Sequence, residues 1–248
     1  MNLTQLTTEL KMLLVDPTVE SSLTAWLNES VVELAAQFEL PGLKLKLPAI
    51  LTTTTAAWQY RMSQDVVPPV SGHTYMKNVF RVTNAQHERG MVIHREIETI
   101  DRRDPDHDET AAAVNQVAIE DETDDAVIAI YPKANDTLNL WYYRRPVDMS
   151  FPTDVPDGIP EAFHRSVLLS KVVLKAFRVY PELALSVEGD NTRALARWEG
   201  ELRRGLYGDG YQIGLIDMLK KSAPPRIRGP KSGGNLAGAD QWSTRSTR

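Results

Sequence analysis

The residues of this chain best suited to chemistry are five histidines, a dense run of carboxylates and a few short glycine-containing stretches. The histidines are His73, His87, His94, His107 and His164. None forms an H-E-x-x-H motif or an i, i+4 pair, so a zinc site would have to assemble across distant segments. The chain contains no cysteine, which excludes a disulfide framework and thiolate-bound metal. Between Glu96 and Asp125 the carboxylates crowd together, and Asp104-Pro105-Asp106-His107-Asp108-Glu109 has acids at alternate positions, as a calcium loop does. It lacks the glycine turn and the distal glutamate of that loop, and a solvated loop is expected instead. Val70-Ser71-Gly72-His73 lacks the first glycine of a nucleophile elbow. Gly229-Pro230-Lys231-Ser232 has neither the preceding strand nor the following helix of a phosphate loop. Glu29 and Glu33 share a helical face, where paired carboxylates usually serve solvation, and His164 reads as a structural hydrogen-bonding group. The expectation is a protein without catalytic, cofactor or metal residues. Arg144-Arg145 beside Trp141, Tyr142 and Tyr143 offers stacking plus phosphate contact. Strand alternation puts the two arginines on opposite faces, so core aromatics at a charged strand end are the better reading.

The elements that carry these residues change character twice along the chain. Leu3, Leu6, Leu10 and Leu13 recur at helical spacing, and Asn2 with Gln5 makes a capping-box-like start. Asp16-Pro17 breaks that helix. A second runs from about Ser22 to Phe38 with Leu23, Leu27, Val31, Leu34, Ala35 and Phe38 on one face, and Pro41-Gly42 stops it. From Leu43 to Pro146 the period falls to two. Leu43–Leu47, Ala56–Met62, Thr74–Val82, Val114–Ile119, Val127–Tyr131 and Thr137–Tyr143 are strand candidates, while Gly90–Ile100 fits a strand and a short helix equally. Pro146, Pro152, Pro156 and Pro160 then interrupt pairing, and Ile159-Pro160-Glu161 opens a long helix with proline where its missing N–H costs nothing. That helix carries Phe163, Val167, Leu169, Val172, Val173, Ala176, Phe177 and Tyr180 on an apolar arc broad enough to touch neighbours on two sides. A further helix bears Leu195, Trp198, Leu202 and Leu206, with Gly205, Gly208 and Gly210 loosening its end; Tyr211–Lys221 is an apolar segment of open state.

These elements predict an α+β fold. A helical bundle forms from the N- and C-terminal helices, with an inserted antiparallel β-sandwich or barrel and an extended C-terminal arm. The expected organisation is a helical hairpin over 1–42, a β-rich insertion over 43–158, completing helices over 159–221, and an arm over 222–248. Net charge is −5 over 248 residues, unevenly spread. From Lys220 to Arg248 seven basic residues face Asp240 alone, so that end carries +6 and residues 1–219 carry −11. A basic Gly/Pro/Ser-rich end on an acidic body suggests an arm that seeks an acidic partner. No apolar run reaches the roughly 20 residues of a membrane span, and Met1-Asn2-Leu3 does not begin a signal peptide, so a soluble protein without membrane contact, made in a reducing cytoplasm, is expected.

Four motifs in order carry a resemblance: Trp26-Leu27-Asn28-Glu29, Ile130-Tyr131-Pro132, Leu140-Trp141-Tyr142-Tyr143-Arg144-Arg145-Pro146, and Ile159-Pro160 followed by Phe163-His164. Over roughly residues 3–205 the chain resembles the head-to-tail (portal) adaptor, or connector, proteins of tailed bacteriophages. It departs from them at Tyr60-Arg61-Met62-Ser63, which lacks a proline related adaptors often carry, and in an enlarged acidic 101–125 region. The resemblance implies a virion protein assembled as a twelve-subunit ring against the portal protein. A downstream tail protein (nozzle, tube or fibre) would bind the other side, and DNA would pass the lumen during ejection without sequence-specific binding. It implies that the arm binds the portal, with Arg226, Arg228 and Lys231 pairing charges and Leu236 and Trp242 as apolar anchors. It also suggests that Phe163, Val167, Val173, Phe177 and Trp198 meet neighbouring subunits. The competing readings are a tail-completion or tail-terminator protein bound to the tail tube, a virion-associated cell-wall hydrolase, which needs two carboxylates in a cleft, and a DNA-binding protein with steep salt dependence.

Overall fold

The computed structural model describes residues 1–14, 17–86, 90–122 and 125–222. The first helix, α1 (Leu3–Leu14), begins with the reciprocal box its sequence predicts: the Asn2 N–H donates to Gln5 Oε1 and the Gln5 N–H to Asn2 Oδ1, both at 2.9 Å. Leu3, Leu6, Leu10 and Leu14 are buried, whereas Leu13 is only half-buried. The stripe steps by four at its end because 3.6 residues per turn carries Leu14, not Leu13, back under Leu10. After a 3₁₀ turn at Pro17–Ser22, α2 (Leu23–Gln37) buries Trp26, Leu27, Val31, Leu34 and Ala35.

Eight strands follow among the described residues: β1 (Ala49–Thr53), β2 (Gln59–Arg61), β3 (Val66–Val67), β4 (Tyr75–Asn84), β5 (Val92–His94), β6 (Gln116–Asp121), β7 (Ala126–Tyr131) and β8 (Asp136–Arg144). Two helical turns interrupt them, α3 (Met62–Asp65) and α4 (Glu98–Asp101). The strands make two four-stranded sheets, β3-β1-β8-β4 and β2-β7-β6-β5, and neither closes into a barrel. Inward residues of both sheets, among them Leu51, Leu138 and Leu140 from one and Val117, Ile119 and Ile128 from the other, share a single core cluster.

Two features of the β region differ from the expectation. Leu43–Leu47 is not a strand: Pro41–Leu43 is a 3₁₀ turn, and the unpredicted β1 begins beyond Pro48 and pairs with β3 and β8. The sheets are also not wholly antiparallel, since β5 pairs with β6 in parallel register. Parallel neighbours need a crossover of a dozen or more residues, and residues 95–115 supply it. Most of the acidic region is therefore this crossover. Its Ile97 and Ile100 pack with Trp58, Ala118, Ala129 and Tyr131 as a small satellite core on the second sheet.

Beyond the proline-rich connection, Glu161–Phe163 is a 3₁₀ turn, His164–Leu169 a π-helical segment, and α5 (Ser170–Val179) a regular helix. Next come α6 (Pro181–Glu188), α7 (Asn191–Tyr207) and α8 (Leu215–Ser222). Gly189, at φ +71°, closes α6 in the left-handed conformation, and the Asp190 carboxylate caps α7 by accepting the Thr192 N–H at 2.8 Å. Residues of α1, α2, α5, α6, α7 and α8 share one apolar cluster, joined by Tyr143, Met149 and Ile159. β8 thus touches both cores, with Tyr142 in the β core and Tyr143 in the helical one.

Gly205 does not loosen the end of α7. It is buried in the helix, and a Cβ there would lie 2.7 Å from the Ser166 carbonyl oxygen and 2.8 Å from Val167 Cγ2. The absent side chain is what lets α7 lie against the π-helical segment.

Candidate functional site

The residues that carry the resemblance are largely those that fasten the two halves of the chain together. Trp26 packs near Tyr180 with ring centroids 6.1 Å apart, and Leu27 is fully buried. Asn28 makes a reciprocal pair with the connection, accepting the Met149 N–H at 2.9 Å and donating to the Met149 carbonyl at 3.1 Å. Glu29 pairs with Lys175, and Glu33 with Lys171 at 2.7 Å, so both carboxylates tie α2 to α5 and do more than solvate a face. The connection also covers the start of α1, whose Leu3 and Thr4 N–H groups donate to the carbonyls of Asp154 and Pro152.

At the end of β8, Arg144 forks onto Asp157, with its second nitrogen 2.8 Å from Oδ1, and Asp157 also accepts the Val147 N–H. Arg144 is committed to that clamp, while Arg145 is exposed. The Tyr142 hydroxyl donates to the His73 carbonyl at 2.9 Å, and burial pushes its pKa up to about 12. The Tyr143 hydroxyl donates to Glu39; burial and the Glu39 charge raise its pKa. Lys77 of β4 donates to the Ala36 and Phe38 carbonyls at the end of α2, at 2.8 and 3.0 Å.

In the acidic crossover, Asp104 is buried and uses its carboxylate on its own loop, accepting the Asp108 and Glu109 N–H groups. His107 stacks on Trp58 with centroids 3.5 Å apart, and Glu109 accepts the Tyr131 hydroxyl. Among the described residues no three histidines or carboxylates are grouped to hold a metal ion. No described helix is long and apolar enough to cross a membrane.

His164 is fully buried. Its Nε2 donates to the Ile159 carbonyl at 2.9 Å, which leaves Nδ1 as acceptor 3.1 Å from the Met1 amine. Burial above all lowers its pKa below the ordinary 6.5, against the raising effect of the Ile159 carbonyl. A histidine that binds its proton less readily when folded stabilises fully above the unfolded pKa. That contribution is lost as pH falls from about 6.5 through the folded value. Stability by urea denaturation is therefore expected to fall between pH 7.5 and 5.5, and the fall should shrink in His164→Gln; an equal fall in both would remove His164 as its source.

Of the residues expected between subunits, Phe163, Val167, Val173 and Phe177 are buried in this chain's own helical core. Cover from α1, α2, α6 and α7 is sufficient reason for the broad apolar arc, so a neighbour would meet them only through the surface above. Trp198 is half-buried against the same core, with its Nε1 enclosed and, among the described residues, lacking a hydrogen-bond partner. Arg226, Arg228, Lys231, Leu236 and Trp242 lie outside the described residues. Two features carried no sequence signal. One is a cleft of about 1000 Å³ between the end of α2, β4, β6 and α8. The other is a buried polar corner at Asp136.

The chain belongs to the SU10 adaptor protein family, whose model matches residues 1–215. It is thus a bacteriophage structural adaptor, a virion component that associates with other head or tail proteins. No curated protein matches it.

Proposed function

We propose that this chain is the head-to-tail adaptor that forms a ring beneath the portal, joins the capsid vertex to the tail and lets DNA pass. Family membership over residues 1–215 is the observation that carries this reading. The ring holds twelve copies to match the portal, and its far side receives a nozzle, tube or fibre protein. The C-terminal arm, residues 222–248, lies beyond the family match and holds five basic residues against Asp240 alone. It locks the ring to the portal through Arg226, Arg228 and Lys231, with Leu236 and Trp242 as anchors. Ordering so long a segment has a large entropic cost, which a long receiving groove on the portal would offset. Trp198, half-buried on α7, is the lateral contact residue with surface left for a neighbour. No residue is assigned to catalysis. The acidic body repels DNA in the lumen and keeps it from adhering during passage.

The test is mass by light scattering, for the protein alone and mixed with the portal of the same virus. A multi-copy complex is expected with the portal, and removal of residues 222–248 should weaken docking at least about 100-fold, since several anchors are lost together. Undiminished docking of the truncated chain would overturn the arm's role. Absence of any complex with the full chain would overturn the adaptor reading.

A further inference from the structure

The solvent face of α7 has a composition that helix stability does not favour. Arg193, Arg197, Gly200, Arg204 and Tyr207 follow at intervals of four, three, four and three, the spacing of one helical face, and all are exposed. Arginines four apart repel each other, and Arg193 lies in the first turn, where the helix dipole disfavours a cation. Gly200, in the middle of this row, lowers helix propensity, and a Cβ there would meet nothing within 4 Å. Among the described residues no neighbour accounts for bare backbone at that point. The close approach of a partner would.

The row ends in a groove of about 640 Å³ lined by Gly200, Arg203, Arg204, Tyr207, Gly208 and Asp209. Tyr207 is 60% exposed, a large aromatic surface left to solvent. Arg204 pairs with Glu201 at 2.9 Å and reaches Asp209 at 3.7 Å, so the one acid of the groove is already engaged. Arg203 is exposed and makes no ion pair among the described residues. An uncommitted guanidinium in a groove with an exposed aromatic ring suits a carboxylate ligand.

The same chain presents carboxylates on a fixed loop. Asp104-Pro105-Asp106-His107-Asp108-Glu109 holds four acids and no lysine or arginine. Asp106 and Asp108 are exposed and make no ion pair among the described residues. The loop is held from within by Asp104 on the Asp108 and Glu109 N–H groups and by His107 stacked on Trp58. The Lys133 N–H donates to the Glu109 carbonyl at 3.0 Å and anchors its end. A loop already ordered loses little entropy on docking. Trp58 belongs to the satellite core of the second sheet and α7 to the helical core. A contact between loop and groove therefore joins unlike surfaces of two copies, the heterologous kind that closes rings.

We propose that the α7 groove receives the Asp106–Asp108 loop of a second copy, with Arg203 and Arg204 on its carboxylates and Gly200 leaving room for its backbone. As a lateral contact of the ring this rests on the adaptor reading, but the pairing itself is testable with and without the portal.

The test is sedimentation velocity of the full chain over a concentration series, alone and with the portal of the same virus, with circular dichroism to check folding. The native chain is expected to self-associate in at least one of the two conditions. Arg203→Glu with Arg204→Glu, and separately Asp106→Arg with Asp108→Arg, should each weaken association at least about tenfold, because like charges then face each other. An equimolar mixture of the two variants should associate again, since each reversed surface meets its complement on the other. Gly200→Gln should weaken association while thermal stability holds or rises, a split that a purely structural role for Gly200 would not give. Complexes of native copy number and affinity in every variant would overturn the contact and leave the adaptor reading standing. Self-association that follows the charge pattern without portal binding would do the reverse, and no association of the native chain in either condition would overturn both. Loss in the arginine variant alone would overturn the second copy as occupant and give the groove to another polyanion, such as DNA.

Discussion

Asp136→Ala is expected to lower stability by about 3–5 kcal/mol, the largest loss from any single polar residue of the β region. Asp136 is 6% exposed at the start of β8. Its carboxylate accepts from the Asn84 side-chain amide at the end of β4, from the Val114 N–H at 3.2 Å and from the Thr137 N–H at 2.7 Å. Its own N–H donates to Thr53 Oγ1 at the end of β1, and Thr53 in turn donates to the Ala134 carbonyl. One side chain thus satisfies donors from three separate segments where they meet out of water. Alanine removes the acceptor these donors share, and each buried hydrogen bond so lost costs about 1–3 kcal/mol, partly relieved by rearrangement. For a chain of this length the loss corresponds to a Tm lower by about 6–20 °C. Asp136→Asn keeps one acceptor oxygen and should fall between the two. Urea denaturation followed by far-UV circular dichroism measures the effect, and a loss below about 1 kcal/mol for the alanine variant would show that the corner is not a keystone.

The second prediction sets two glycines of one helix against each other. In α7, Gly205 and Gly200 would both gain about 1 kcal/mol of helix propensity on becoming alanine. Gly200 is exposed with nothing within 4 Å of a new Cβ, so Gly200→Ala should stabilise by up to that amount. At Gly205 the new methyl falls 2.7 Å from the Ser166 carbonyl oxygen, a backbone atom that cannot swing aside. Either α7 lifts from the π-helical segment or that segment rewinds, at an overpacking cost of about 1–3 kcal/mol or more. The net expectation is a loss of about 1–2 kcal/mol for Gly205→Ala, opposite in sign to Gly200→Ala. Two stabilised variants in thermal unfolding would show that α7 does not depend on close approach there.

Both residues mark the boundary of what is legible without a structure. Gly205 reads from sequence as a loosened helix end because glycine lowers helix propensity; only the segment lying opposite turns it into a packing requirement. Nothing near Asp136 in sequence marks it as buried, because two of the donors that need it come from residues 84 and 114. β1 was missed because Ala49–Thr53 is short and ends in threonines, and its membership is decided by the partners on either side. The parallel pairing of β5 with β6 was missed for the same reason, since Gly90–Ile100 holds both a strand and a helical turn.

By itself the sequence determined what depends on neighbours a few positions apart. The Asn2–Gln5 box, the leucine stripe of α1, the apolar face of α2 and the alternation along β8 follow from helical and strand periods and local capping. So do the lopsided charge and the ordered motifs that identify the family. The tertiary structure alone decided which strands pair, that β5 runs parallel to β6, that the Glu29 and Glu33 carboxylates meet Lys175 and Lys171, and that the apolar arc of α5 is covered within the subunit. Those outcomes depend on groups distant in sequence being brought together by burial, and no local period records which distant groups will meet.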